Sequence, residues 1–576
     1  MTELGIAGGG PVVVLDPTGT LARLGGSTFV DWWIGADDRW HLASQEIAVR
    51  QGLVHDGSTV GTRLKIPRGD ALQRVVVVPS RGTGVVLVEI ENASPVPVAV
   101  AVALHVPAGE VTVAGDTVSV DGLSVLRSGR SVARLVVSDT IEAARLGVER
   151  GEALPPAEME FPVTGSVVVA IFPLPHTAIL QCVVAIEPVD LLAAPDDLPP
   201  VAAVARGWTS HLDAGAAITV PDDRLLQTVA AARRHLLVGS GLPTRAAFWS
   251  HDVSGWVPAV AAVALGAWGH TIAGRELLLG ASGPENPDLH SRRGASESGA
   301  LLWAWAERLE RHPDPELEAA IVPWLEDLAG ELIRRPGRFG RRSAGPGDAA
   351  WRAVGLAAVG SVMSRLGDQV LGRDIVEALP QLVQEIQHDP RDVALALGGN
   401  RLGNLDGRGL MGILSATEQD RPLASVVERS GPAGGFRQGT RTQHPELSAL
   451  WLLAVRRSVV DEPHGSGGPL ALLSAPDQSW LGGPVEAHNV PVTGGVVSFG
   501  VRWHGDRPAL LWDVQTGSPT PGVCAPGLDS GWSDERAHGE ALLNAMPGLL
   551  KVAGPESARV RRGETVDTTE EPDSFT

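Results

Sequence analysis

The feature that most limits what this chain can become is a change in its hydrophobic period. Up to about residue 190 apolar residues alternate or run in short valine-rich blocks, from about 208 to 458 they recur every three to four positions, and beyond about 466 the short blocks return. A period of two puts alternate side chains on one face of a sheet, whereas a period near 3.6 gathers them on one face of a helix. The chain therefore reads as β, then α, then β. At 576 residues it is too long for a single hydrophobic core.

The first block holds PVVVLD, QRVVVVPS, GVVLVEIEN, VPVAVAVALHV, VTVAGDTVSVDG, VARLVVS, SVVVAIFPL and ILQCVVAIEPV, each bounded by turn-forming residues. Short strands so spaced predict an antiparallel sandwich over 1–192. Residues 193–207, AAPDDLPPVAAVARG, are proline-rich and read as a linker. The middle block, 208–465, predicts helices over 223–239, 256–281, 296–311, 315–335, 348–367, 368–388 and 445–459. Asp222 is placed to cap the first, Asp314 and Pro315 to open the fourth, and Pro323 to kink or split it. Helices arriving in pairs suggest an α/α toroid or solenoid of hairpins. In 466–555 a hairpin is expected, with His504, Gly505, Asp506 and Pro508 in its turn, followed by a helix in HGEALLNAMPGLLKV. The acidic tail, 556–576, has the composition of a disordered segment.

Charge and composition remove several functions. With 47 Lys and Arg against 67 Asp and Glu, the formal charge is −20, which disfavours a nucleic acid or an anionic membrane as partner. Cys182 and Cys524 are isolated, GIAGGGP precedes a strand instead of following one, and the 16 histidines form no HExxH. No disulfide framework, metal or cofactor is expected. No secretory leader and no long apolar run is visible, so the expected location is the cytoplasm. There are 16 Trp, 8 Phe and no Tyr, so an aromatic platform that also donates a hydrogen bond must be an indole.

One segment gives that platform an address. Phe248-Trp249-Ser250-His251-Asp252-Val253-Ser254-Gly255-Trp256, continuing through Ala264, Leu265 and Gly269, is similar to the W-x-R-D segment and following A-L-x-x-G helix of the six-hairpin glycosidase-like superfamily, on its glucoamylase and glycogen-debranching side. Here His251 stands where arginine is usual. LDPTGTLARLGGSTFVDWWIGADDRW also resembles the opening strands of that group's supersandwich. The resemblance implies an N-terminal antiparallel β-supersandwich, a central (α/α)6 barrel and a small C-terminal β element. It also implies a carbohydrate ligand at the barrel mouth, with two carboxylates hydrolysing an α-linked glucan or oligosaccharide, usually with inversion. One carboxyl protonates the departing oxygen while the other deprotonates water, which for inversion requires a separation of about 6.5–9.5 Å.

Asp252 is the best sugar-binding candidate, with His251 and the indoles of Trp249 and Trp256 beside it; as a simpler alternative it caps the next helix. Glu297 and Glu446 are the candidate catalytic carboxylates. Each also lies in a first helical turn, where the macrodipole favours a carboxylate without chemistry. Arg441, Gln443 and His444 crowd the loop before Glu446 and are candidate substrate contacts. Where the family carries its general acid, RRPGRFGRRSAGPGDAAW offers Arg338, Arg341 and Arg342 and no carboxylate before Asp348. That departure keeps open a catalytically inactive, carbohydrate-binding scaffold. A sugar lyase or isomerase, with His251 or His444 as base, is a third reading.

Overall fold

The computed structural model describes residues 2–23, 28–54, 59–80, 83–240, 255–282, 294–334, 348–367, 369–386, 445–462, 468–517 and 521–546. The chain divides into two compact units, the first running to His211 and the second beginning at Leu212.

The first unit is built on one fifteen-stranded antiparallel sheet. Its strands are β1 (Thr2–Ile6), β2 (Gly10–Leu15), β3 (Leu21–Arg23), β4 (Thr28–Gly35), β5 (Trp40–Leu42), β6 (Val49–Val54), β7 (Thr59–Ile66) and β8 (Gly69–Ser80). They continue as β9 (Thr83–Asn92), β10 (Val98–Ala114), β11 (Thr117–Val120), β12 (Leu123–Ser128), β13 (Arg134–Ser138), β14 (Val163–Leu174) and β15 (Ile179–Val189). The order along the sheet is β1-β2-β3-β4-β10-β11-β12-β15-β9-β8-β7-β6. A sandwich of separate sheets was expected; a continuous sheet results because the 17-residue β10 serves both arms. Its first half pairs with β4, its pairing with β14 runs on to Val111 through a register shift between His105 and Gly109, and its last four residues pair with β11.

The sheet curls so that its first arm covers the other. Gln51 on β6 donates to Asp16 O at 2.6 Å, Gln73 on β8 donates to Gly19 O at 3.0 Å, and Arg23 on β3 donates to Ile186 O at 3.0 Å. Val13, Leu15, Leu21 and Trp32 share the enclosed core with Val60, Leu64, Val86 and Leu180. Strand alternation sends the neighbouring Trp33 to the opposite face. There it packs with Ala144 and Val148 of a helix absent from the sequence reading, α1 (Ile141–Glu149), whose Ala143 N–H is capped by Thr140. The proline-rich connection is largely helical, carrying a 3-10 turn at Pro195–Asp197 and then α2 (Val201–Asp213). Val201 seals a further core over Val76, Leu87 and Val183.

The second unit holds α3 (Asp223–Gly239), α4 (Val257–Ala267), α5 (Thr271–Ser282), α6 (Ala295–Arg311), α7 (Pro315–Arg334), α8 (Asp348–Leu366), α9 (Gln369–Ile386) and α10 (Pro445–Val459). Asp222 caps α3 through Leu225 N–H at 3.0 Å, and Asp314 caps α7 through Leu317 N–H at 3.1 Å. Pro323 does not split α7; it lies on the exposed face of an unbroken helix. The single helix expected over 256–281 is instead a hairpin. Gly269, at φ +84°, turns the chain after Trp268, and His270 N–H bonds back to Leu265 O at 2.9 Å. Three hairpins, α4/α5, α6/α7 and α8/α9, follow one another. Residues 387–444 lie outside the described residues, and closure into an (α/α)6 barrel is not among the features described. No described helix is long and apolar enough to cross a membrane.

The C-terminal β element is larger than a hairpin. A five-stranded sheet joins β16 (Ala217–Thr219), β19 (Val485–Val492), β20 (Gly495–His504), β21 (Arg507–Thr516) and β24 (His538–Leu542). A four-stranded sheet joins β17 (Val460–Asp461), β18 (Leu470–Leu472), β22 (Val523–Ala525) and β23 (Asp529–Asp534). Residues 505 and 506 make the expected turn, with Gly505 at φ +69°, whereas Pro508 lies in β21 opposite Trp503. The helix expected from His538 is the edge strand β24, whose exposure alternates as a strand's does. Residues 547–576, the acidic tail included, lie outside the described residues.

Candidate functional site

Helices α4, α6, α8 and α10 run in the same direction, and contacts at both ends establish it. At the starting end, a Cβ added to Gly255, just before α4, would lie 2.8 Å from Glu297 Oε2 in the first turn of α6. A Cβ on Gly299 of α6 would lie 2.3 Å from Trp351 O in the first turn of α8. At the far end, Gly266 of α4 and Arg308 and His312 at the end of α6 line one small cavity. Arg311 of α6 and Arg456 of α10 there bind the same carboxylate, Glu462. Helix α3 runs the other way beside α10, so His235 near its end meets Ser448 Oγ near the start of α10 at 3.2 Å. The starts of four parallel helices thus gather at one end of the unit, where the positive ends of their dipoles lie.

Two of the predicted carboxylates are at that end. Glu446, behind Pro445 at the head of α10, is half-buried, and desolvation pushes its carboxyl up to about 7. A carboxylate at a helix start is ordinarily favoured by the dipole, so burial outweighs the dipole here. Glu297 sits in the first turn of α6 against the turn that leads into α4.

The indoles form a chain across the same end. Trp256 is the N-cap residue of α4, and its ring centroid lies 5.4 Å from that of Trp351, which lies 5.6 Å from that of Trp303. Trp351, only 5% exposed, fills the space between helices, while Trp256 and Trp303 on either side of it are half-buried. Several other indoles of the helical segment are core. Trp305 is fully buried with its N–H on Ser282 Oγ at 2.7 Å, and Trp268 donates to Leu452 O at 2.9 Å beneath the Arg233 guanidinium. Trp451 is likewise fully buried. Trp351 escaped the sequence reading; its signal was a tryptophan in the first turn of a predicted helix.

Of the other predicted site residues, Trp249, His251 and Asp252 precede Trp256, and Arg441, Gln443 and His444 precede Glu446, but all six lie outside the described residues. The same holds for the arginine-rich segment 335–347. Cys182 is buried and Cys524 half-buried, and both are free thiols.

No protein-family model matches the chain, and no curated protein matches it in sequence. Among solved structures it is similar to a bacterial glucoamylase complexed with acarbose, at 9% identity and a TM-score of 0.43, over 66% of this chain. The chain spans 64% of that glucoamylase's length. It is also similar to a polysaccharide lyase at 8% identity and a TM-score of 0.20, over 77% of this chain and 98% of the lyase.

Proposed function

We propose that this is a carbohydrate-active protein of glycoside-hydrolase type, acting on an α-linked glucan or oligosaccharide at the starting end of α4, α6, α8 and α10. Glu446 carries the reading: a carboxyl kept protonated up to about pH 7 is the group that can protonate a departing glycosidic oxygen near neutrality. Glu297 is its proposed partner, deprotonating water on the opposite side of the bond for an inverting outcome. Trp256 offers an indole face for the C–H face of a sugar, and Asp252 and His251, just before it in sequence, would take its hydroxyls. Arg441, Gln443 and His444 would contact substrate from the chain entering α10.

Incubation with maltooligosaccharides and trehalose, followed by reducing-sugar release and proton NMR of the anomers, tests this. The expected product is the β-anomer, with turnover falling as pH rises through about 7 while Glu446 loses its proton. Glu446→Gln should lower kcat by about a hundredfold or more. Trp256→Ala should chiefly raise KM. Absence of both binding and turnover would sink the reading. A second reading, carbohydrate binding without hydrolysis, draws on Arg338, Arg341 and Arg342 standing where the related enzymes carry an acid. Binding that persists unchanged in Glu446→Gln, with no turnover in either protein, would favour it.

A further inference from the structure

The N-terminal unit carries a cleft of about 410 Å3 between the β4–β5 turn, the residues after β5 and the end of α1. Its one large aromatic wall is Trp40, directly opposite Gly35 in the β4–β5 ladder. A Cβ at position 35 would lie 3.1 to 3.2 Å from three adjacent atoms of the Trp40 six-membered ring, near-equal distances that place it over the ring face. Glycine therefore lets the indole lie flat on the strand, with one face seated on backbone and the half-exposed remainder lining the cleft.

Polar groups surround that ring, and most of them are already paired with one another. Glu46 pairs with Arg39 at 2.6 Å and meets His41 Nδ1 at 3.0 Å, and Asp38 meets His41 Nε2 at 2.9 Å. Glu149 pairs with Arg145 one helical turn back at 3.0 Å. Glu46 and Glu149 thus each have an arginine, and Asp38 shares the His41 ring with Glu46, so most of the carboxylate charge is already paired before any ligand arrives. Each carboxylate nevertheless keeps lone pairs beyond the one engaged, and the exposed Gln45 amide adds donors and an acceptor. A flat indole ringed by largely paired acceptors and donors suits a ligand with an apolar face and many hydroxyls rather than one held by charge.

We propose that this cleft is a saccharide-binding site for a neutral oligosaccharide, whose ring stacks on Trp40 while Asp38, Glu46 and Glu149 accept its hydroxyl hydrogen bonds. It is built wholly from residues of the first unit. Its volume falls in the range of about 300–1,000 Å3 typical of small-ligand pockets.

The test is calorimetric titration of the full chain with maltoheptaose, cellohexaose, xylohexaose and chitohexaose, with spermidine as the cationic comparison. At least one neutral glycan should bind, and Trp40→Ala should weaken it by about tenfold or more. Because Trp40 also packs on a core, the exposed pair Gln45→Ala with Glu149→Gln is the second probe, and it should weaken the same glycan with the unfolding midpoint unchanged. Glu446→Gln and Trp256→Ala should leave this binding intact. The proposal is overturned if no glycan binds, if binding is lost only in the Glu446 and Trp256 variants, or if spermidine binds more tightly with the same dependence on Trp40.

Discussion

At the scale of single residues, Glu446 shows burial reversing what chain position suggests. A carboxylate in a first helical turn reads as a solvated, ionised helix start, and only the packed structure removes enough water to raise its carboxyl to about 7. The shift is also a stability statement. Below about pH 4.5 the group is protonated folded or unfolded and costs nothing. Between about 4.5 and 7 the unfolded chain releases the proton while the folded chain keeps it, so stability falls as pH rises, by about 3 kcal/mol across the window. Glu446→Gln should abolish that decline: the two proteins should unfold at similar urea concentrations at pH 4, and the variant should be the more resistant at pH 8. An equal difference at both pH values would contradict the assignment. Burial also explains Cys182, whose thiol is pushed up to about 12. It should resist alkylation in the folded protein and react only after unfolding, as mass spectrometry of iodoacetamide-treated samples would show.

At the scale of elements, hydrophobic period and capping chemistry were legible, while close approach was not. Helices α3 and α10 fall on the residues the periodicity predicts, since Asp222 and Pro445 are local signals with local effects. The break between α4 and α5 was missed because both flanks are apolar, and a glycine at a helix end looks in sequence like any helical glycine. Gly299 and Gly355 are the sharpest case. An added Cβ at Gly355 would stand 2.1 Å from Gly299 O, so α6 and α8 meet backbone to backbone and bring Trp351 between Trp256 and Trp303. Gly299→Ala should therefore destabilise by about 1–3 kcal/mol or more and weaken any ligand of the indole row. Gly266→Ala, with no atom within 4 Å of its added Cβ, should instead stabilise by about 0.5–1 kcal/mol. Urea denaturation of the two variants compares them directly, and equal destabilisation would refute the backbone-contact account.

At the scale of the whole molecule, a buried ionic node ties the helices of the second unit to its C-terminal strands. Glu462 accepts from Arg311 of α6, from Arg456 of α10 at 2.7 Å, and from Thr493 N–H between β19 and β20 at 2.7 Å. Burial opposes its ionisation, but the two guanidiniums prevail and hold the carboxyl down to about 2. The stability this adds is complete above about pH 4.5 and is lost as pH falls through about 2, amounting to about 3 kcal/mol. Glu462→Gln leaves two buried cations short of their counter-charge and should cost about 3–5 kcal/mol at pH 7. The deficit should shrink towards pH 2, which unfolding curves across that range would reveal; a constant deficit would argue against the ionic account. Nothing local marked Glu462, whose partners are 151 residues before it, six residues before it and 31 residues after it. By itself the sequence determined the β–α–β order, most helix limits, the caps and the place of Glu297 and Glu446 in first helical turns, because period, turn chemistry and capping act over a few residues. Only the tertiary structure decided that the first strands curl into one sheet, that Trp351 joins Trp256 to Trp303, and that Glu446 is dry enough to keep its proton, because solvent exclusion and close approach depend on segments far apart in the chain.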